Sequence, residues 1–301
     1  MDLVQLRMFC AVAETGSVAR AAELLHRVPS NLTTRLKQLE EELGAALLIR
    51  EKQRVRLSPM GHNFLGYAQR ILALSEEAIS MTRQGEPSGN FALGTMESTA
   101  ATRLPALLSA YHQRYPAVSL SLITGTSGEI IDQVREGTVA AALADRPEGY
   151  DELNSCVAFE EELVLITSSE RNRVTCPRDV QGETFFAFRN SCSYRLKLEE
   201  WFREGDAQPG SIMEIHSYHA MIACVAGGAG LAIAPASVLA QISDRTRIKT
   251  HPLPEKYGKV STCLIWRRDA FTPNVEALKE LMLTLFTPPP ASGRPVSTGN
   301  L

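Results

Sequence analysis

Three consecutive stretches decide how this chain is read: Ser17-Val-Ala-Arg-Ala-Ala-Glu-Leu-Leu-His26, Val28-Pro-Ser-Asn-Leu-Thr-Thr-Arg-Leu-Lys-Gln-Leu-Glu-Glu-Glu-Leu-Gly44 and Leu47-Leu-Ile-Arg-Glu-Lys-Gln-Arg-Val-Arg-Leu-Ser58. Ser17 is a suitable N-cap, and Val18, Ala21, Ala22 and Leu25 follow it at helical spacing. Pro29 suits the first turn of a second helix. There Leu32, Leu36, Leu39 and Leu43 recur at steps of three and four, which makes one apolar stripe. Gly44 stands where such a helix should stop. Leu47 to Ile49, a turn near Glu51 to Gln53, and Arg54 to Leu57 predict a hairpin. Alternation puts Val55 and Leu57 on one face and Arg54 and Arg56 on the other. Upstream, Leu3, Leu6, Cys10 and Ala13, with Phe9 beside them, form the inner face of an earlier helix. The whole predicts a winged helix-turn-helix.

The outward residues of the second helix carry chemistry suited to a major groove. Asn31 and Gln38 can bond an adenine edge, Arg35 a guanine edge, and Thr34 a thymine methyl or a phosphate. Ser30 and Thr33 complete the candidate set on that helix. The phosphate-binding patch is read as Arg27, Arg35, Lys37, Arg50, Lys52, Arg54 and Arg56. Glu40, Glu41 and Glu42 are expected to turn away from it. On an isolated helix the same outer face would read first as a plain solvated surface, since polar outer faces are routine. The preceding helix and the basic hairpin favour nucleic acid.

Residues 1 to about 81 resemble the N-terminal domain of LysR-type transcriptional regulators. The resemblance is carried by "MDLVQLRMFCAVAETGSVARAAELLH", "LKQLEEELGAALLIR" and "VRLSPMGHNFL". Two departures stand out. The family often has Ser-Gln-Pro-Ala where this chain has Val28-Pro29-Ser30-Asn31, and Ser-Arg-Gln where it has Thr33-Thr34-Arg35. The base preference is therefore expected to differ from that of other members. The stretches "VPSNLTTRLKQLEEELG", "ESTAA" and "FRNSCSYR" are further similar to a branch containing a putrescine-utilisation regulator, which implies an effector bearing an amine or a carboxylate.

The 301 residues suffice for two or three domains, and 44% hydrophobic with 22% charged residues is ordinary for a globular protein. A net charge of -3 does not bear on DNA binding, which needs only a local patch. Asp2, Gln5, Arg7 and Glu14 break any signal-peptide run, and no stretch is apolar enough to span a membrane. The 6 cysteines (Cys10, Cys156, Cys176, Cys192, Cys224 and Cys263) are scattered without metal-ligand spacing. A reducing cytoplasm is expected, with neither metal nor cofactor. The stretch from Pro288 to Asn300, rich in Pro, Ser and Gly, reads as part of a disordered tail over 288–301.

Ser58 and Pro59 open a long linker helix, expected over residues 59–84. Phe64, Tyr67, Ile71, Leu74, Ala78 and Met81 make a heptad seam for a partner helix. Leu65, Ala68, Leu72 and Ile79 make a second seam for the DNA-binding domain, residues 1–58. One amphipathic helix on a single core would show only one seam. The resemblance likewise implies a homodimer through this helix, and a dimer or tetramer as the oligomeric end state. Residues 85–90, which overlap Gln84-Gly-Glu-Pro-Ser-Gly89, read as a hinge.

From residue 91 to 287 strands and helices alternate, so the main part of the fold is expected to be α/β with parallel sheets. Strands are predicted at 91–96, 118–123, 139–143, 163–167, 185–188, 212–215, 231–234 and 261–266. Helices are predicted at 102–115, around Ile130 to Val134, and at 194–202, 218–225 and 273–285. The arrangement resembles the two-lobed, periplasmic-binding-protein-like effector domain of the same family. The first lobe is placed at about 91–161 and 267–287, the second at about 162–266. A ligand should lie between the lobes, at strand ends and helix starts. The candidates there are Glu97, Ser98, Thr99, Thr126, Ser127, Phe188, Arg189, Ser191, Ser193, Tyr194, Tyr218 and His219. Hydroxyls and helix N-termini favour an anionic group, Arg189 can clamp a carboxylate, and Glu97 can accept an amine. The serines and threonines can equally be helix caps, and His216 and His219 structural or rim residues. Cys192 beside Arg189 reads either as a redox-sensitive thiol or as a small pocket residue. Gly227-Gly-Ala-Gly230 lies between a helix and a strand and reads as a turn.

The leading expectation is a ligand-responsive regulator that binds double-stranded promoter DNA, senses a small molecule and acts on RNA polymerase. The alternative is a two-lobed binding protein or enzyme whose N-terminal helices serve only oligomerisation. No GxSxG, Walker loop, HExxH or paired-carboxylate motif supports a catalytic residue.

Overall fold

The computed structural model describes residues 1–51, 54–82, 86–145, 149–243 and 245–286, with the backbone alone for Arg50, Glu51, Glu77, Ser80, Met81 and Thr82. Lys52 at the hairpin turn, Gln84 and Gly85 of the expected hinge, and the expected tail at 288–301 lie outside the described residues.

Three helices and a hairpin make the N-terminal unit. Helix α1 (Leu3–Thr15) starts at a capping box in which Asp2 accepts from Gln5 N and Gln5 reaches back to Asp2 N. Helix α2 (Val18–Leu24) is capped by Ser17, which accepts from Arg20 N. Helix α3 (Pro29–Leu43) has Pro29 at its start and ends at Gly44, whose φ of 65° disfavours any residue with a Cβ. Leu32, Leu36 and Leu39 are fully buried against Leu6, Phe9 and Val12 of α1 and Ala21 and Ala22 of α2. Each leucine so placed contributes about 1.5–3 kcal/mol. Strands β1 (Leu48–Glu51) and β2 (Arg54–Leu57) pair antiparallel. The hairpin is tied down by Glu40, whose Oε1 accepts from Leu47 N at 2.7 Å and Leu48 N at 2.9 Å. Val55 N also donates to Gly16 O at 3.0 Å.

Helix α4 (Pro59–Thr82) leaves the hairpin across a close contact: a Cβ at Gly61 would stand 2.1 Å from Leu47 O. Ser58 caps it, with Gly61 N donating to its Oγ at 2.9 Å. Phe64, Leu65, Ala68 and Leu72 pack on the N-terminal core, and the Phe9 and Phe64 rings lie 5.4 Å apart. Tyr67, Ile71, Leu74, Ala78 and Ile79 are exposed. Two assignments therefore change sides. Phe64 belongs to the inner face, because it sits four residues before Ala68. Ile79 belongs to the outer one, because by then α4 has passed beyond the small core.

The main part is α/β. Strand β3 (Gly89–Met96) is followed by α5 (Glu97–Thr102), α6 (Leu104–Arg114), β4 (Val118–Gly125), α7 (Ser127–Glu136) and β5 (Ala141–Asp145). β3 pairs in parallel with β4 and β5. Strand β6 (Leu153–Ser168) then runs through both lobes. Next come β7 (Thr184–Ala187), α8 (Ser193–Glu204), β8 (Ser211–Glu214), α9 (Tyr218–Ala226), β9 (Leu231–Pro235), α10 (Ala236–Ala240), β10 (Ile248–Pro252), α11 (Glu255–Gly258), β11 (Lys259–Arg267) and α12 (Pro273–Phe286). The strand order is β4-β3-β5-β11-β6-β9-β7-β8, with β10 on the far half of β6.

The first half of β6 pairs with β11, and its second half pairs with β9 and β10. β11 also pairs antiparallel with β5, from Thr262 opposite Asp145 to Trp266 opposite Ala141. The return strand over 261–266 therefore counts with the first lobe, whereas the sequence reading grouped it with the second. The reading that began a new unit near Leu163 is likewise corrected, since that strand starts at Leu153. The Glu160-Glu-Glu162 run hides this continuity.

Candidate functional site

The outer face of α3 is the first candidate surface. On a helix of 3.6 residues per turn, the positions opposite the leucine stripe are Ser30, Thr34 and Lys37, with Asn31 and Gln38 beside them. All five are exposed. Thr34 Oγ1 donates to Ser30 O at 3.0 Å, and the half-buried Thr33 donates to Pro29 O at 3.0 Å. Lys37 pairs with Glu41 at 3.4 Å. Arg35 lies on the flank of the stripe, where its Nη1 stands 3.4 Å from Asp2 Oδ2. Arg27, Arg54 and Arg56 are exposed on the same unit. Of the glutamates, Glu41 faces outward with Lys37, Glu42 pairs with the terminal amine of Met1, and Glu40 holds the hairpin.

The second candidate is a cleft of about 210 Å³ between the lobes. From the first lobe it is lined by Met96, Glu97, Ser98, Thr124, Gly125, Thr126, Ser127 and Glu129, and from the second by Phe188, Arg189, Cys192, Tyr194, His216 and Tyr218. Sequence alone pointed to eight of these: Glu97, Ser98, Thr126, Ser127, Phe188, Arg189, Tyr194 and Tyr218. Thr99 is buried but does not line the cleft, and His219 is exposed outside it. Ser191 and Ser193 join the lobes instead. Ser191 Oγ lies 2.7 Å from Thr126 Oγ1, and Ser191 O accepts from Gly128 N at 3.1 Å. Ser193 Oγ lies 3.2 Å from Ser127 Oγ. A Cβ on Gly128 would come within 3.1 Å of Ser191 Cβ, so the approach is tight.

Glu129 is the main residue that sequence reasoning missed. Its signal was there: Thr126-Ser-Gly-Glu129 is a capping box. Its Oε2 accepts from Thr126 N at 3.0 Å, and its Oε1 meets Arg189 Nη1 at 2.7 Å from the other lobe. The Thr126 N–H, followed by the Thr126 hydroxyl and Arg189, holds this carboxyl below its ordinary range. Arg189, expected as a clamp for a ligand carboxylate, is thus already paired.

Glu97 stands at the start of α5. Its Oε1 accepts from Tyr218 N at 3.4 Å, while its Oε2 is buried with no hydrogen-bond partner among the described residues. Burial pushes this carboxyl up; the Tyr218 N–H and His219 partly oppose that. Ser98 lies beside the phenols of Tyr194 and Tyr218, whose own ionisation burial pushes far upward. The Phe188 and Tyr218 rings lie 4.9 Å apart, and His216 stands 6.4 Å from Phe188. Cys192 is buried and its thiol is pushed up by desolvation, so it lacks the thiolate character of a redox sensor.

A larger groove, about 570 Å³, opens between α4 and the first lobe, with Tyr67, Ile71, Leu74 and Ile79 on its wall. Among the described residues no three His, Cys, Asp or Glu side chains gather as metal ligands, and no helix is long and apolar enough to cross a membrane.

Comparison with known proteins identifies the two domains that carry these surfaces. Residues 3–62 match the family described as "Bacterial regulatory helix-turn-helix protein, lysR family", and residues 84–287 match "LysR substrate binding domain". The chain is 36% identical over 279 residues to the HTH-type transcriptional regulator GltR of Bacillus subtilis (strain 168), covering 92% of this chain and 94% of that protein. It is 33% identical over 290 residues to the HTH-type transcriptional regulator SoxR of Arthrobacter sp. (strain TE1826), covering 96% and 98%. Among solved structures, full-length CbnR complexed with its target DNA superposes with a TM-score of 0.69 at 25% identity, covering 94% of this chain and 99% of that one.

Proposed function

The chain belongs to the LysR family of bacterial transcriptional regulators, and from that premise we propose how its parts divide the work. It is a ligand-responsive, DNA-binding regulator rather than an enzyme, and it works as an oligomer. In the reading proposed here α3 enters the major groove. Ser30, Asn31, Thr34, Lys37 and Gln38 meet base edges or nearby phosphates, with Thr33 and Arg35 at the margins. Arg27, Arg50, Lys52, Arg54 and Arg56 grip the backbone. The stripe Tyr67, Ile71, Leu74 and Ala78 pairs α4 with the same helix of a second copy. The effector sits in the cleft between the lobes, and its arrival changes how they close. That change alters subunit packing, DNA geometry and contact with RNA polymerase. The protein acts in the cytoplasm, where its DNA is.

The single observation that carries this reading is the exposed polar face of α3 over a fully buried leucine stripe, beside a hairpin with outward arginines. The test is a titration of the full chain against the duplex upstream of its own coding region, over a series of salt concentrations. The expected result is a linear fall of log affinity with log salt, with a preference over random duplex of about 10³-fold or more. Equal affinity for random duplex at every salt concentration would remove the reading.

A further inference from the structure

The cleft has an uneven supply of donors and acceptors. Its cationic group, Arg189, is committed to Glu129 at 2.7 Å. Three of the N–H groups at the helix starts that border it are also taken. Gly128 N donates to Ser191 O, Glu129 N to Thr126 Oγ1, and Tyr218 N to Glu97 Oε1. An anionic ligand would find these donors occupied. On the acceptor side, Glu97 Oε2 is buried and has no partner among the described residues. A buried carboxylate oxygen without a donor is costly, and the missing partner is a donor. Beside Glu97 stand the rings of Phe188 and Tyr218, 4.9 Å apart, with His216 behind Phe188. Aromatic faces next to a lone carboxylate suit a cation that carries its own N–H groups.

We infer that the cleft takes a small ligand bearing a primary or secondary ammonium group, held by Glu97 and set against the rings of Phe188 and Tyr218. This rests on the cleft being the effector site. The cleft, about 210 Å³, is smaller than the roughly 300–1,000 Å³ typical of ligand pockets, so the ligand has a short carbon chain. The ammonium supplies the donor that Glu97 Oε2 lacks. Burial disfavours the ionised form of Glu97 while the cleft is empty, and a bound cation reverses that preference. Ligand arrival therefore places a charge pair at the start of α5, beside the backbone of Tyr218 on the opposite lobe.

The test uses the full chain and four probes of equal chain length and different charge: butylamine, 4-aminobutyrate, butyrate and butanol. Two readouts are taken, affinity by calorimetry and the methyl resonance of Met96, whose side chain lines the cleft. Butylamine or 4-aminobutyrate should bind, shift the Met96 signal, and lose roughly 10- to 100-fold affinity in Glu97→Gln. Butyrate binding with a Met96 shift, unaltered by Glu97→Gln, would overturn the ammonium assignment and leave the cleft as the effector site. Amine binding that leaves Met96 unmoved would overturn the cleft itself. Failure of both amine probes to bind would overturn the ammonium assignment.

Discussion

Arg189 Nη1 lies 2.7 Å from Glu129 Oε1, and the two side chains come from opposite lobes. The partners are not equal. Arg189 reaches only across the gap, with its side chain 56% exposed, whereas Glu129 also closes the capping box of α7 through Thr126 N. Arg189→Ala is therefore expected to cost about 0.2–1 kcal/mol, as exposed ion pairs do. Glu129→Ala should cost more, because it also removes the capping-box bond from Thr126 N. Glu129 has a depressed pKa, so its contribution is present above the ordinary carboxylate range and is lost as pH falls through its lower folded value. Urea unfolding of both variants over an acid pH series checks this. Equal losses in the two variants would contradict the double role.

Glu97 has the opposite sign. Its folded pKa is raised by burial, so the ionised form is a burden on the ligand-free fold. That burden is absent below the unfolded pKa and complete once pH has risen through the folded one. Glu97→Gln keeps an oxygen for Tyr218 N and removes the charge. The ligand-free variant should melt above the parent at neutral pH and level with it in acid. A variant less stable than its parent at neutral pH would mean that the ionised carboxylate is held by contacts other than the one to Tyr218.

Much of the architecture is legible in the residues, and the parts that are not share a cause. Ser17, Gly44 and the alternation of Arg54 to Leu57 mark their elements because capping and strand period are local properties. The length of β6 was hidden because three consecutive glutamates break its apolar pattern, and their tolerance depends on neighbours distant in sequence. Ser261 Oγ donates to Glu160 at 2.9 Å, and Ser237 Oγ to Glu161 at 2.6 Å. The short α5 was missed because Glu97-Ser-Thr-Ala-Ala-Thr102 has no apolar stripe; the interface between lobes holds it. In the cleft, residue types were readable but their pairings were not. Arg189 looked available from its place in the chain, and only the fold brings Glu129 to it.

The outer stripe of α4 supports a prediction about assembly. Tyr67, Ile71 and Leu74 are 63%, 36% and 60% exposed, a run of apolar surface too regular to leave in water. Leu74→Glu, alone or with Ile71→Glu, should convert the oligomer to smaller species in light scattering. It leaves the packed side of the helix, at Phe64, Ala68 and Leu72, untouched. Losing a paired reading head should also weaken binding to a two-half-site duplex by roughly 10²–10⁴-fold, while binding to one half-site changes little. An unchanged mass for the double variant would place the oligomer contact elsewhere.

The reading face of α3 can be resolved residue by residue, because Arg35 and Lys37 are differently engaged. Lys37 lies opposite the buried stripe and pairs with Glu41 at 3.4 Å, both side chains exposed. If it meets a phosphate, Lys37→Ala lowers affinity alike for all sequences and reduces the salt slope by about 0.9. Arg35 is held toward Asp2 at 3.4 Å, so it must leave that carboxylate before it can reach a guanine edge. Arg35→Ala should cost about 1–3 kcal/mol and relax preference at one base pair. Asp2→Asn is the sharper probe, since the amide oxygen can keep the cap on Gln5 N while the competing charge is removed. It should tighten operator binding, and the gain should vanish when Arg35→Ala is added. A gain that persists in the double variant would assign the effect to the general removal of negative charge, and Arg35 would lose its place as a base reader.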